Sequence, residues 1–179
     1  MNDVRLVHSG FDTLYVAVQG ALGNKALEIL RQAKESAKLA KESQSVTFGP
    51  GAYSASVPED GQRGGYAYRL EKGPGDIMWA IGSNADPRNW NLFANIGSDC
   101  LLAHGLEGAI EKFWQDLEAM GALVLDCSIN RADFAMDFRI EGFKLDQARV
   151  LAHSRATVRG HVKEEDNEIE LGFVSRGRR

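Results

Sequence analysis

The chain has few of the residues that staple a fold or hold a metal ion. Its two cysteines, Cys100 and Cys127, are isolated from each other and form no Cys-x-x-Cys pair. Neither a disulfide framework nor a zinc site is therefore indicated, and reduced thiols are expected. The four histidines are equally scattered, and a glycine-rich phosphate loop is missing. These absences argue against a histidine-based metal cluster and against the use of ATP.

A membrane-spanning segment is also missing from the sequence. No apolar run approaches the roughly 20 residues that cross a bilayer. The polar start, Met1-Asn-Asp-Val-Arg5, lacks the apolar core of a signal peptide. The sequence therefore predicts a soluble protein of the cytoplasm that has no membrane partner.

The chain has no excess of positive charge either. It carries 21 lysines and arginines against 25 aspartates and glutamates, a formal net charge of -4. Nucleic acid is therefore not attracted by the chain as a whole, and any DNA binding requires a local basic surface. With 179 residues, 44% of them hydrophobic, the chain is long enough to form a globular domain with a sizeable core.

The hydrophobic periodicity predicts an α+β fold, an antiparallel sheet with two main helices packed on one face. The predicted elements are a strand at 13–19, a helix at 21–42, strands at 66–71, 77–81 and 91–96, a helix at 106–120 and a strand at 128–139. The sheet face that the helices leave uncovered is the expected working face.

The strand at 128–139 alternates between charged and apolar residues. One face carries Arg131, Asp133, Asp137 and Arg139. The other face carries Ala132, Phe134, Met136, Phe138 and Ile140. Two interpretations remain open: a wet groove where charge is needed for function, or an ordinary strand with one buried and one solvated face. Arg131 either contacts a phosphate or neutralises Asp133.

Aromatic residues on the predicted sheet also have two interpretations. Tyr66 and Tyr68 are expected to share a strand face with Leu70. Such rings either stack unpaired bases or belong to the core. For Trp79 and Phe93 the core is the favoured interpretation, because large aromatic side chains dominate buried contacts in domains of this size.

The segment Asn130-Arg-Ala-Asp-Phe-Ala-Met-Asp-Phe138 resembles the Arg-x-Asp-hydrophobic-Ala-hydrophobic-Asp strand of the plasmid and phage replication initiation factors, the trans-acting rolling-circle Rep proteins. Three further segments agree with this family in their order along the chain: His8-Ser-Gly-Phe-Asp-Thr-Leu-Tyr-Val-Ala-Val-Gln-Gly20, Leu101-Leu-Ala-His-Gly-Leu106 and Ala152-His-Ser-Arg155. The resemblance implies a nicking-domain core at 1–154, incomplete in this chain. The segment at 155–179 is expected to be a mobile tail, because a run of acidic residues follows its basic start.

The resemblance also implies a set of site residues. Asp133 and Asp137 are the expected catalytic carboxylates, and Asp133 is the expected ligand of a divalent metal, Mg²⁺ or Mn²⁺. Residues four apart on a strand lie about 13 Å apart, so a regular strand does not bring both carboxylates to one metal ion. The expected DNA contacts are Arg131, Arg139, Arg155 and Arg159.

The sequence departs from the family at its nucleophile. The family carries a Tyr-Asp-Lys-like segment after the aspartate strand, whereas the four tyrosines here, at 15, 53, 66 and 68, all precede it. Two functions are therefore expected. One is a replication initiation protein, or a fragment of one, that nicks an origin when a tyrosine-bearing segment completes it. The other is a non-catalytic protein that binds nucleic acid at the origin or regulates a full-length initiator. The expected partners are an origin hairpin or single strand, a second copy of the chain, or that initiator.

Overall fold

The computed structural model describes residues 4–142, 158–165 and 168–174, which fall into two units. The central unit comprises His8–Met136, and the second unit comprises Met1–Val7 and Asp137–Arg179. The described elements are β1 (Val4–Ala21), α1 (Asn24–Ala40), β2 (Gln44–Phe48), β3 (Tyr53–Val57), β4 (Tyr68–Leu70), β5 (Met78–Ile81), β6 (Leu92–Ile96), α2 (Ser98–Met120), β7 (Leu123–Ile140), β8 (Val158–Glu165) and β9 (Glu168–Val174).

A five-stranded sheet in the order β4-β5-β6-β1-β7 organises the central unit. Strands β4, β5, β6 and β1 are joined by antiparallel pairing, with Leu14 opposite Ile96, Trp79 opposite Ala94 and Leu70 opposite Trp79. Facing residues on paired strands project to the same side of a sheet. The register therefore gathers Leu14, Val18, Leu70, Trp79 and Ile96 on one face, which we call the inner face.

Both helices pack on the inner face, as predicted. The inward side chains of α1 and α2 belong to the same buried cluster as the inner-face strand residues, and Trp79 stacks on Phe113 of α2 with ring centroids 5.3 Å apart. The helical members of this cluster include Leu27, Leu30, Ala33, Ala109, Phe113, Leu117 and Met120. The α+β fold class and the burial of Trp79 are thereby confirmed.

Helix α2 begins earlier than predicted and bends. Gly105 takes a φ of 67° inside the element, so a short helical stretch from Ser98 precedes the predicted one. Ile110 and Trp114 lie on an exposed side of α2, although their three- and four-residue spacings place them near Phe113 and Leu117 in the sequence pattern. Only one stripe of the helix fits against the sheet, and Phe113 and Leu117 fill it.

The β2-β3 hairpin was not predicted from the sequence. Gly49 opens its turn with a φ of 79°, and a Cβ added there would lie 2.2 Å from the carbonyl oxygen of Ala119. Glycine is therefore required both for the turn and for the close approach to the end of α2. Backbone hydrogen bonds between Ser56 and Glu71 join β3 to the end of β4.

The described residues of the second unit include an antiparallel hairpin. Strands β8 and β9 pair from Val158 opposite Val174 to Glu165 opposite Glu168, with an irregularity between Arg159 and His161. The predicted mobile tail at 155–179 contained no strand, so this hairpin is an addition to the prediction. None of the helices in the described part of the chain is long and apolar enough to span a membrane.

A buried carboxylate ties α2 to the sheet. Asp116 of α2 accepts hydrogen bonds from Trp79 Nε1 at 3.0 Å and from Lys72 Nζ at 2.6 Å. Lys72 Nζ also lies 4.1 Å from the ring centroid of Tyr53, which places a cation on its aromatic face. The carboxylate therefore links β5 and the segment after β4 to the helix, and its charge is matched by one lysine.

We expect Asp116→Ala to lower the free energy of unfolding by about 3 kcal/mol, since it leaves a half-buried ammonium and a buried indole N–H without their acceptor. Chemical denaturation measures this loss. Glu111→Ala, an exposed change on the same helix, serves as the control and should cost less than about 0.5 kcal/mol. Equal costs for the two variants would contradict the role of Asp116.

Candidate nucleic-acid interface

The second face of the five-stranded sheet, which we call the outer face, is not covered by either helix. Its side chains alternate with the buried ones along each strand. Tyr15 lies between inward Leu14 and Val16, and Phe93 lies between inward Leu92 and Ala94. The prediction that Phe93 belongs to the core is therefore wrong, because the register turns it to the side opposite Trp79.

Three aromatic rings form a row on the outer face. The ring centroids of Tyr15 and Phe93 lie 5.4 Å apart, and those of Phe93 and Tyr66 lie 5.7 Å apart. All three side chains are half-buried, and partial burial raises the pKa of Tyr66. Tyr66 precedes β4 and does not share a face with Tyr68, which is buried on the inner side, so that part of the prediction is also wrong.

Small residues border this aromatic row. Ala17 and Ala80 face Phe93 from the two neighbouring strands. Both alanines are themselves buried, while the three rings of the row keep part of their surface exposed. That partly exposed ring surface is what a flat group could stack on.

Arg131 of β7 extends the row at one end. Its guanidinium carbon lies 5.2 Å from the ring centroid of Tyr15, within the range of a cation–π contact. Nη2 of Arg131 forms an ion pair with Oδ2 of Asp133, two residues along the same strand. The hydrogen bond to Asp133 raises the pKa of Arg131 above its usual value. Of the two roles left open for Arg131, the structure contains the pairing with Asp133.

A second pair of this kind lies on β4. Arg69 Nε is 2.8 Å from Oε1 of Glu71, again two residues along the strand. Arg69 lies on the outer face, because its neighbours Tyr68 and Leu70 are buried on the inner side. Its Nε–H makes no well-aligned hydrogen bond, so the pair is a charge contact. The register places Arg69 opposite Ala80, which in turn faces Phe93.

The predicted catalytic and DNA-contacting residues are only partly brought together. Asp133 and Arg131 are adjacent in the central unit, whereas Asp137 and Arg139 belong to the second unit and are exposed there. Arg155 lies outside the described residues. Arg159 lies in β8 opposite Phe173.

The surroundings of Asp133 bear on its predicted role as a metal ligand. Within the described residues, no three histidine, cysteine, aspartate or glutamate side chains are grouped as a metal site requires. A divalent cation at Asp133 would have to compete with Arg131 for the carboxylate. Metal binding by Asp133 therefore stays a prediction.

The apolar side of β7 differs from both interpretations given above. Phe134 is 61% exposed and Met136 is 53% exposed, so this side is not buried in the described structure. The reason is the length of β1 and β7, since the pairing of β1 with β6 ends at Leu14 opposite Ile96. Among the described strands, none other than β1 and β7 belongs to the sheet beyond that point. Phe134 contacts Phe11 edge to face, with centroids 5.7 Å apart.

Comparisons with known proteins do not identify a family for this chain. No family model, curated protein or solved structure matches this chain. The resemblance to rolling-circle initiators therefore stays a prediction that depends on the quoted motifs.

The placement of Phe93 outside the core can be tested by its contribution to stability. We expect Phe93→Leu to lower the free energy of unfolding by about 1 kcal/mol or less, because its ring lies on an open face. Phe113→Leu, in the stack on Trp79, should cost about 2 kcal/mol or more. Urea denaturation of both variants measures these losses. A larger loss of unfolding free energy for Phe93→Leu than for Phe113→Leu would contradict the placement of Phe93 outside the core.

Proposed function

We propose that this protein binds unpaired DNA on the outer face of its sheet, at the origin of a rolling-circle replicon. One observation carries the proposal: the partly exposed row of Tyr66, Phe93 and Tyr15, which ends at the guanidinium of Arg131. The resemblance of the β7 motif to replication initiators supplies the biological setting, and an origin offers unpaired bases in its hairpin loop or displaced strand.

The physical basis is stacking. Each base presents an aromatic face, and a ring of the protein beneath it contributes roughly 1–3 kcal/mol without reading the sequence. An arginine beside the rings offers a further flat, cationic surface for a base. Paired bases in a duplex are already stacked on each other, so a surface of this kind favours single strands and loops.

Binding rather than strand cleavage is the role that the described residues support. Asp133 is engaged by Arg131, and within the described residues it has no cluster of carboxylates or histidines around it. A two-residue charge pair is a weak basis for metal-assisted phosphate chemistry, which needs an ion held in a fixed coordination shell. We therefore favour the non-catalytic origin-binding function for this chain, with nicking as the second candidate because of the β7 motif.

The binding proposal is tested with Tyr15→Leu and Phe93→Leu. Each variant should weaken the binding of a fluorescent single-stranded oligothymidine by about 10-fold or more, because each removes one stacking ring. Fluorescence anisotropy at a fixed salt concentration measures the dissociation constants.

Trp114→Leu provides the matched control, since Trp114 is an exposed aromatic residue on α2, which packs on the inner face. Its affinity for the oligonucleotide should equal that of the unaltered protein. Absence of binding by the unaltered protein, or an equal loss in all three variants, would contradict the proposed site.

The choice between binding and nicking is tested with supercoiled plasmid DNA. We expect no open-circular product in the presence of Mg²⁺ or Mn²⁺, since Asp133 is paired with Arg131. Gel electrophoresis shows the result. Nicking that requires the divalent cation and disappears in Asp133→Ala would instead support the catalytic role that the resemblance implies.

A further inference from the structure

We infer that the outer face is built to bind bases and to reject phosphates, and that Asp133 and Glu71 are the residues that set this preference. The inference depends on the proposed DNA-binding function and specifies its ligand: unpaired nucleobases, with little contribution from the phosphate backbone. Two arginines of this face, Arg131 and Arg69, are each paired with a carboxylate.

The two ion pairs have the same construction. Arg131 and Asp133 are two residues apart on β7, and Arg69 and Glu71 have the same spacing at β4. Side chains two residues apart project to the same side of a strand, so each carboxylate lies on the face that its arginine serves. Strands β4 and β7 are the two edge strands of the five-stranded sheet. The aromatic row is thus bordered on both sides by a neutralised arginine.

Neutralisation changes what each arginine can bind. A guanidinium binds phosphate through its N–H groups and its charge, and it contacts aromatic rings and bases through its flat surface. The carboxylate of Asp133 neutralises the charge of Arg131 and occupies one N–H edge of its guanidinium. The flat surface of the guanidinium keeps its contact with the ring of Tyr15. A phosphate would have to displace the carboxylate first, whereas a base on the aromatic row would not.

The exposure of the pairs makes this competition realistic. The side chains of Arg131 and Asp133 are 53% and 37% exposed, and those of Arg69 and Glu71 are 33% and 45% exposed. All four therefore reach solvent, and a DNA strand lying on the row would meet them. With a formal net charge of -4, the rest of the chain adds no general attraction for a duplex.

The test uses Asp133→Asn and Glu71→Gln, which remove the negative charge and keep the size of the side chain. Each variant frees one arginine for a phosphate, and one such contact adds about 0.9 to the slope of log affinity against log salt for a duplex. Between about 50 and about 200 mM NaCl, the duplex affinity of each variant should fall about threefold more than that of the unaltered protein.

Asp86→Asn is the matched control. Asp86 and Arg88 form a third exposed pair with the same spacing, at 2.6 Å, in the turn between β5 and β6. Freeing Arg88 in this turn should leave both the duplex affinity and its salt dependence unchanged. An equal gain in Asp86→Asn would show that any freed arginine suffices and would overturn the assignment to the outer face.

Three further results bear on the inference. Unchanged duplex affinity and salt slope in Asp133→Asn and Glu71→Gln would overturn it, while loss of oligothymidine binding in Tyr15→Leu would keep the binding function itself. No binding by the unaltered protein would overturn both. Binding by the unaltered protein that increases with Mg²⁺, and an increase that Asp133→Asn abolishes, would make Asp133 a metal ligand and overturn its neutralising role.

Discussion

The stack of Phe113 on Trp79 decides which face of the sheet is available. It fixes α2 against the inner face, and Asp116 reinforces that contact by bonding to the indole N–H and to Lys72. Since α1 joins the same buried cluster, both helices are committed to one side. The opposite side is then left to the residues that alternate with the core, and these include Tyr15 and Phe93.

Alternation along a strand explains why the outer face is aromatic without being part of the core. Leucine, alanine and isoleucine of β6 point inward, and the residues between them are Phe93 and Asn95. The ring of Phe93 gains partial burial from Tyr15 and Tyr66 and needs no helix above it. An aromatic row of this kind stabilises itself in part and still leaves ring surface for a ligand.

Local patterns were sufficient for the fold class and for most elements. The stripe of Leu30, Ala33 and Ala37 predicted α1, and the period of two predicted β1 and β7. Short strand-like segments between turn signals predicted β4, β5 and β6. The β2-β3 hairpin was missed because its strands are only five residues each and three of their positions are serine, which is not among the residues enriched in strands. The exposure of Phe134 was missed because periodicity shows which residues share a face and not whether another element covers that face.

The candidate site was predictable only in part, for a similar reason. The Arg131 and Asp133 motif was visible, and so was the choice between a structural ion pair and a phosphate contact, but only tertiary structure places Tyr15 beneath the guanidinium. For Phe93 the size of the side chain argued for the core, while the alternation along β6 put it on the other face of the strand from Leu92 and Ala94. The period of two was the better guide, because register is fixed along a whole strand whereas size affects one position.

The paired charges of the outer face agree with the negative formal charge of the whole chain. A protein that binds DNA through phosphates concentrates unpaired cations, since each released counterion adds to affinity. Here the two arginines beside the aromatic row are matched by carboxylates, and acidic residues outnumber basic ones in the sequence. Under the proposed function, affinity for DNA at this face would come from ring surface, which is accessible only to bases that have left the duplex. The same arrangement would then disfavour duplex DNA and favour loops and single strands.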